Sequence, residues 1–151
     1  MTTQVRSATP DDAPAWLRLR QALWPEGEAA EHAREIEQYF AGRLRMPLEV
    51  LLAHDEASAT LGFAELSIRP YAEDCATDRV AYLEGWYVVP DARRRGVGRA
   101  LVEAAERWAR AQGCREFASD AHIDNTVSAA AHRALGFQET IQIRCFRKSL
   151  A

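Results

Sequence analysis

At 151 residues, with 48% apolar residues and a net charge of −3, the chain has the size and core-forming content of one domain, residues 1–151. The mildly acidic balance argues against nucleic acid or an anionic membrane as partner, and no apolar run approaches the roughly 18 residues of a membrane span. The first residues lack a signal-peptide pattern, and Cys75, Cys114 and Cys145 are scattered and odd in number, so a reducing, cytoplasmic setting without a metal centre is expected.

In chain order, residues 4–8 read as a short strand. Thr9 and Pro10 open a helix, with threonine as cap and proline in the first turn. Trp16, Leu19 and Leu23 mark its apolar face, and Trp24-Pro25 ends it because proline cannot continue a helix. A second helix carries Ala29, Ala33, Ile36 and Phe40 at helical spacing. Strands are predicted over 49–54 and 60–69, joined by a hairpin loop at 55–58.

After an acid-rich loop at 71–78, residues 80–89 are nearly all apolar, as in a central strand covered on both faces. Residues 100–111 form a helical pattern that stops at Gln112-Gly113. A short strand at 116–120 follows, then a helix opened by Asp124 or Asn125 and closed near Leu135-Gly136. Residues 137–148 are expected to supply one or two final strands. The order β-α-α-β-β-β-α-β-α-β describes a single α/β domain with a mixed sheet.

Charge is unevenly placed. Residues 48–89 hold eight acids and two bases, Arg69 and Arg79, whereas residues 93–115 hold seven arginines and two acids. The basic region contains Arg93-Arg94-Arg95-Gly96-Val97-Gly98 between a strand and a helix. Glycines admit close approach of an anion to the backbone, and the helix N-terminus offers free N–H groups and a positive dipole end. The spacing is wrong for a dinucleotide fold, and the Gly-Lys-Ser/Thr of a nucleotide P-loop is absent. The bland reading is an ordinary β-α turn with a solvated basic cluster.

Glu84 interrupts the apolar strand within Tyr82-Leu83-Glu84-Gly85-Trp86, where a carboxylate requires a partner or water. It is therefore a candidate functional acid, the alternative being an ion pair with an arginine.

The loop pattern Arg/Gln-x-x-Gly-x-Gly/Ala resembles the pyrophosphate loop of the GNAT acyltransferases. Leu23-Trp24-Pro25, Ser67-Ile68-Arg69, Leu83-Glu84-Gly85, Arg107-Trp108, Gly113-Cys114-Arg115-Glu116, Ala118-Ser119-Asp120, Ala134-Leu135-Gly136-Phe137 and Phe146-Arg147-Lys148 extend the resemblance along nearly the whole chain. They resemble one branch, the aminoglycoside 6′-N-acetyltransferases.

The resemblance implies a single-domain GNAT fold: a mixed central sheet flanked by helices, with a V-shaped splay between two parallel strands, here 80–89 and 116–120. It implies acetyl-CoA as co-substrate. Trp86, Tyr87 and Val88 would line its pantetheine arm, with the Val88 N–H as oxyanion donor. The N–H groups of Arg94, Arg95, Gly96, Val97, Gly98 and Arg99 would hold the pyrophosphate. Asn125 would bond the cofactor arm, or else only cap its helix.

On the same grounds Glu84 and Asp120 would bind and deprotonate a cationic amine, and Trp24 and Tyr71 would wall its site. Trp24 is otherwise a packing residue and Tyr71 a loop anchor. His132 stands where many relatives place a proton-donating tyrosine; His132 or solvent would protonate the leaving thiolate, or it needs no acid. Ile141 replaces a glutamate that relatives use on the drug, which leaves the preferred amine open.

The implied activity is 6′-N-acetylation of aminoglycosides, conferring resistance. The alternatives are a GNAT enzyme for another amine (a polyamine, an amino sugar or a protein amine) and a non-catalytic acyl-CoA sensor. Relatives imply a homodimer, and the alternation of Ile141, Ile143 and Cys145 suits pairing across an interface.

Overall fold

In a computed structural model that describes residues 2–151, five strands make one sheet in the order β1-β2-β3-β4-β5. They are β1 (Gln4–Ser7), β2 (Glu49–His54), β3 (Thr60–Arg69), β4 (Val80–Val88) and β5 (Glu116–Ser119). The helices are α1 (Ala13–Leu23), α2 (Ala29–Phe40), α3 (Val97–Ala111) and α4 (Thr126–Ala134). The first four strands pair antiparallel in succession, and β4 pairs β5 in parallel.

Alternation along the central strands fills two cores. Leu51, Ala53, Ala64, Leu66 and Leu83 pack with Val97, Leu101, Val102 and Ala105 of α3. Val50, Leu52 and Phe63 point the other way, onto Trp16, Leu19 and Ile36 of α1 and α2. β2 and β3 are thus covered on both faces, which explains their apolar runs.

Two sequence expectations need correction at α1 and at the chain's end. Pro10 opens only a 3-10 turn, Pro10–Asp12, and the α-helix begins at Ala13. Thr9 is the N-cap of that turn, in a capping box with Asp12, whose carboxylate accepts the Thr9 N–H and hydroxyl at 2.8 and 3.1 Å and the Arg6 fork from the other side.

The expected strands at 137–148 do not form. Among the described residues, 138–151 carry no regular structure and are exposed, and the far edge of β5 has no strand beside it. An alternating pattern specifies two faces, but a strand exists only where another edge accepts its hydrogen bonds.

Two irregularities shape the middle of the sheet. β4 and β5 stay in register only from Val80↔Glu116 to Leu83↔Ser119, and β4 then runs on beside β3 without β5. At the same level, Leu66 pairs Leu83 and Glu65 pairs Gly85, so Glu84 is the extra residue of a β-bulge. Bulges re-aim side chains, and this one falls where the two parallel strands part.

Candidate active site

The opening beyond Leu83 and Ser119 is lined on one side by the free edge of β4. The Val89 N–H bonds the Leu61 carbonyl at 2.8 Å, so Val89 faces β3. Adjacent residues of a strand present their main-chain groups to opposite edges. Val88 therefore turns its N–H to the opening, and its carbonyl there accepts Arg93 Nε at 2.8 Å. Trp86 has the same sense as Val88. Tyr87 faces β3, where its carbonyl would lie 2.5 Å from a Cβ on Gly62.

The glycine loop closes one end of this edge. Arg94 and Gly96 have φ of +64° and +83°, and the turn delivers the chain into α3. The first helical bond runs from the Ala100 N–H to the Gly96 carbonyl at 2.9 Å. Val97, Gly98 and Arg99 thus stand in the first turn, where N–H groups have no intrahelical acceptor. A Cβ on Gly98 would come 3.1 Å from the Trp86 ring, so glycine lets the helix start lie against β4. Arg94, Arg95 and Arg99 are exposed around it. N–H groups, dipole and arginines together fit a pyrophosphate.

Glu84 is largely buried and ion-paired. Arg69 Nε and Nη2 donate to its two oxygens at 2.9 and 2.7 Å. The same guanidinium lies 3.6 Å above the Tyr82 ring, and the Tyr82 hydroxyl donates to Asp120 at 2.5 Å. Asp120 lies one residue past the end of β5 and is exposed. Burial and the bond to Asp120 push the Tyr82 phenol well above its ordinary range, so it remains a donor at any working pH. The two candidate acids therefore belong to one connected group.

Beside Glu84, Arg20, Trp24, Met46, Pro47 and Glu65 complete a recess of about 210 Å³. Trp24 is half-buried. Arg20 sits 5.2 Å over its ring, His32 stacks at 6.4 Å, and Phe63 meets it edge-on at 6.2 Å. Arg20 is itself anchored below the recess by Glu65, at 2.7 and 3.1 Å, which also accepts the Trp16 indole N–H at 3.0 Å. Tyr71 is 66% exposed on the loop after β3.

His132 sits against the Trp86 ring on the opposite side of the opening, 5.1 Å away. Its Nδ1–H donates to the Ser128 carbonyl at 2.7 Å, since a carbonyl only accepts, and its Nε2 lies 2.8 Å from the Ser119 hydroxyl at the fork of β4 and β5. The Asn125 side-chain oxygen caps α4 by accepting the Ser128 N–H at 3.0 Å, leaving its amide N–H groups for other use. Ile141 is exposed on the tail. Among the described residues, no group of three or more His, Cys, Asp or Glu is arranged for a metal, and no helix is long and apolar enough to cross a membrane.

Arg69, Tyr82, Ser119 and Glu65 were not singled out as site residues from sequence. Glu65 interrupts an apolar strand just as Glu84 does, and is 2% exposed, so the same reasoning applied evenly finds it. Arg69 is one of only two bases in the acidic stretch, which is the available hint of its pairing.

Residues 14–137 match the model of the acetyltransferase (GNAT) family. The chain is 55% identical over 146 residues to an aminoglycoside N(6′)-acetyltransferase type 1 of Klebsiella aerogenes, covering 97% of this chain and 96% of that one. It is 42% identical to one of Stenotrophomonas maltophilia, covering 97% and 93%. Among solved structures it resembles AAC(6′)-Iy in complex with the bisubstrate analogue CoA-S-monomethyl-acetylneamine, with a TM-score of 0.90, 34% identity and 99% of each chain covered. It also resembles AAC(6′)-Ih of Acinetobacter baumannii, with a TM-score of 0.89, 36% identity and 99% and 100% covered.

Proposed function

The chain belongs to the acetyltransferase (GNAT) family, and on that footing we propose that it transfers acetyl from acetyl-CoA to the 6′-amine of aminoglycoside antibiotics. The observation that carries this reading is the chain Glu84–Arg69–Tyr82–Asp120, which links a carboxylate of β4 to one just past β5 at the fork of the two strands. Two carboxylates beside an aromatic wall suit a polyamine sugar, whose ammonium groups need anionic partners.

Acetyl-CoA supplies the thioester. Each remaining task falls to this chain's residues. The loop from Arg94 to Arg99 and the start of α3 hold the pyrophosphate, and the open edge at Trp86 and Val88 receives the pantetheine arm beside the Asn125 amide. The Val88 N–H faces the opening, where it can stabilise charge growing on the carbonyl oxygen. Glu84 and Asp120 fix the ammonium group, and Glu84 accepts its proton directly or through water. The amine then attacks in a ternary complex, and most of the acceleration comes from positioning two partners that are already reactive.

His132 Nδ1 bonds the Ser128 carbonyl and Nε2 meets the Ser119 hydroxyl at the fork; His132 or solvent protonates the departing thiolate, or the thiolate leaves without an acid. Trp24 walls the sugar site, and Tyr71, exposed on the loop after β3, is the second aromatic wall of this reading. Acetylation removes the charge of the 6′-amine and with it a contact to ribosomal RNA, which confers resistance. The reaction takes place in the cytoplasm, where acetyl-CoA is made.

The working unit in this reading is a homodimer. What supports it is the exposed tail: Ile141, Ile143 and Phe146 are 53%, 60% and 91% exposed, and β5 has an open edge. Exposed apolar residues beside an unpaired edge favour pairing with a second copy. Sedimentation at micromolar concentration gives a dimer; a monomer rejects it.

Thiol release from acetyl-CoA tests the activity, with a kanamycin-type drug, spermidine and a lysine peptide as acceptors. Turnover led by the drug supports the proposal. Turnover led by spermidine or peptide moves the substrate within the family, and acetyl-CoA binding without turnover on any amine means a sensor.

A further inference from the structure

We propose that Arg69 is a positioning residue for both substrate carboxylates, holding Glu84 directly and Asp120 through Tyr82. The inference rests on the reading of Glu84 and Asp120 as the groups that bind the drug. It concerns how a bulged strand and a residue beyond the end of another strand are kept at a fixed separation.

The register explains why Arg69 can do this. Arg69 pairs Val80 across the β3–β4 ladder, so its side chain shares a face with Val80 and Tyr82. Diagonal neighbours on one face lie within reach of a long side chain. Ser67, directly opposite Tyr82, is small and fully buried, which leaves the phenol ring clear for the guanidinium. Arg69 crosses that ring at 3.6 Å and ends in its two-bond fork on Glu84.

The fork matters because Glu84 is the bulge residue and has no cross-strand partner of its own. A carboxylate accepts about four hydrogen bonds, so the fork uses two acceptor sites and leaves two for the substrate's ammonium. Arginine also offsets one of two nearby negative charges, which would otherwise push the acids apart. Asp120 is exposed and follows a four-residue strand, so the Tyr82 hydroxyl is its principal tether. The Tyr82 ring is in turn pinned between Arg69 and its neighbours Val80 and Ala72. Lysine cannot replace Arg69, since it has no planar fork and covers the ring less well.

The test is steady-state kinetics on Tyr82→Phe, Arg69→Gln, Arg69→Lys, Asp120→Asn and Glu84→Gln, with a kanamycin-type drug and acetyl-CoA varied separately. Tyr82→Phe keeps the ring beneath Arg69 and removes only the hydroxyl. It should raise the drug KM about tenfold, the size expected for a lost bond to a charged group, and leave the acetyl-CoA KM unchanged. In an Asp120→Asn background the same substitution should add little, because Tyr82 acts through Asp120. Arg69→Gln should lower kcat/KM for the drug by roughly a hundredfold, and Arg69→Lys should not restore it.

A Tyr82→Phe effect that persists undiminished without Asp120, or that moves both KM values alike, overturns the inference. So does an Arg69→Gln enzyme with lowered thermal stability and unaltered kinetics. If Asp120→Asn raises the drug KM and Tyr82→Phe does not, this inference alone fails. If neither Asp120→Asn nor Glu84→Gln changes it, the carboxylate reading fails and this one falls with it.

Discussion

Trp24 and Gly85 meet at a contact that only glycine permits. A Cβ on Gly85 would lie 2.7 Å from Trp24 Cη2 and 3.0 Å from Cζ2. The indole cannot simply retreat, because Arg20, His32 and Phe63 enclose it. It is held flush against the residue that follows Glu84, so wall and carboxylate are set by one contact.

Gly85→Ala should therefore shift Trp24 and disturb the sugar site. Overpacking of this kind costs about 1–3 kcal/mol in stability. The expected kinetic result is a higher drug KM with an unchanged acetyl-CoA KM, measured at a temperature where the variant is folded.

The ion pair beneath the recess is almost wholly buried. Glu65 accepts from Arg20 twice and from Trp16 once, while Arg20 also donates to Glu35 at 2.6 Å. Glu65→Gln leaves the Arg20 charge without its buried counterion, and such losses cost about 3–5 kcal/mol. Urea unfolding should show that fall; a change below about 1 kcal/mol, the range of exposed pairs, would contradict it.

Stability should also fall in acid through Asp12. The Arg6 fork, at 2.7 and 2.9 Å, and the Thr9 N–H and hydroxyl hold this carboxyl far below the usual carboxylate range in the folded chain. A depressed folded value adds stability above the unfolded value, near 3.8, and that stability is lost as pH falls from there toward the folded value. Asp12→Asn should thus be less stable than the parent at pH 7, with a narrower gap at about pH 2–3. Urea midpoints at the two pH values check the sign.

Much of the architecture was legible in the residues, and the failures have physical causes. Period-2 alternation and apolar runs located β2, β3 and β4; helices cover both faces of β2 and β3, and the other face of β4 buries Val80 and Tyr82 against Ala72. Helix ends followed from Pro25, Gly113 and Gly136, which act locally. The tail was misread because alternation does not name the edge that would pair it. Glu84 stood out as an acid in an apolar strand, yet its fork with Arg69 depends on cross-strand register, which one segment does not contain. Asn125 illustrates a different limit: a good helix cap and a cofactor ligand call for the same residue, and its oxygen and its amide N–H groups can serve both.

His132 offers a test of proton transfer. If it only supports Ser119, His132→Gln should reduce kcat by less than about tenfold, since glutamine keeps a polar partner for the hydroxyl. A loss of 10²–10⁴, the usual worth of a general acid, would place the proton on the ring itself.

The most direct test of the central claim is to identify the acetylated atom. A kanamycin-type drug is turned over with acetyl-CoA and the product is mapped by NMR, beside an analogue carrying a hydroxyl in place of the 6′-amine. Acetyl on the 6′-nitrogen, with no turnover of the 6′-hydroxyl analogue, is the predicted result. Acetylation at another amine, or equal turnover of the analogue, would contradict it.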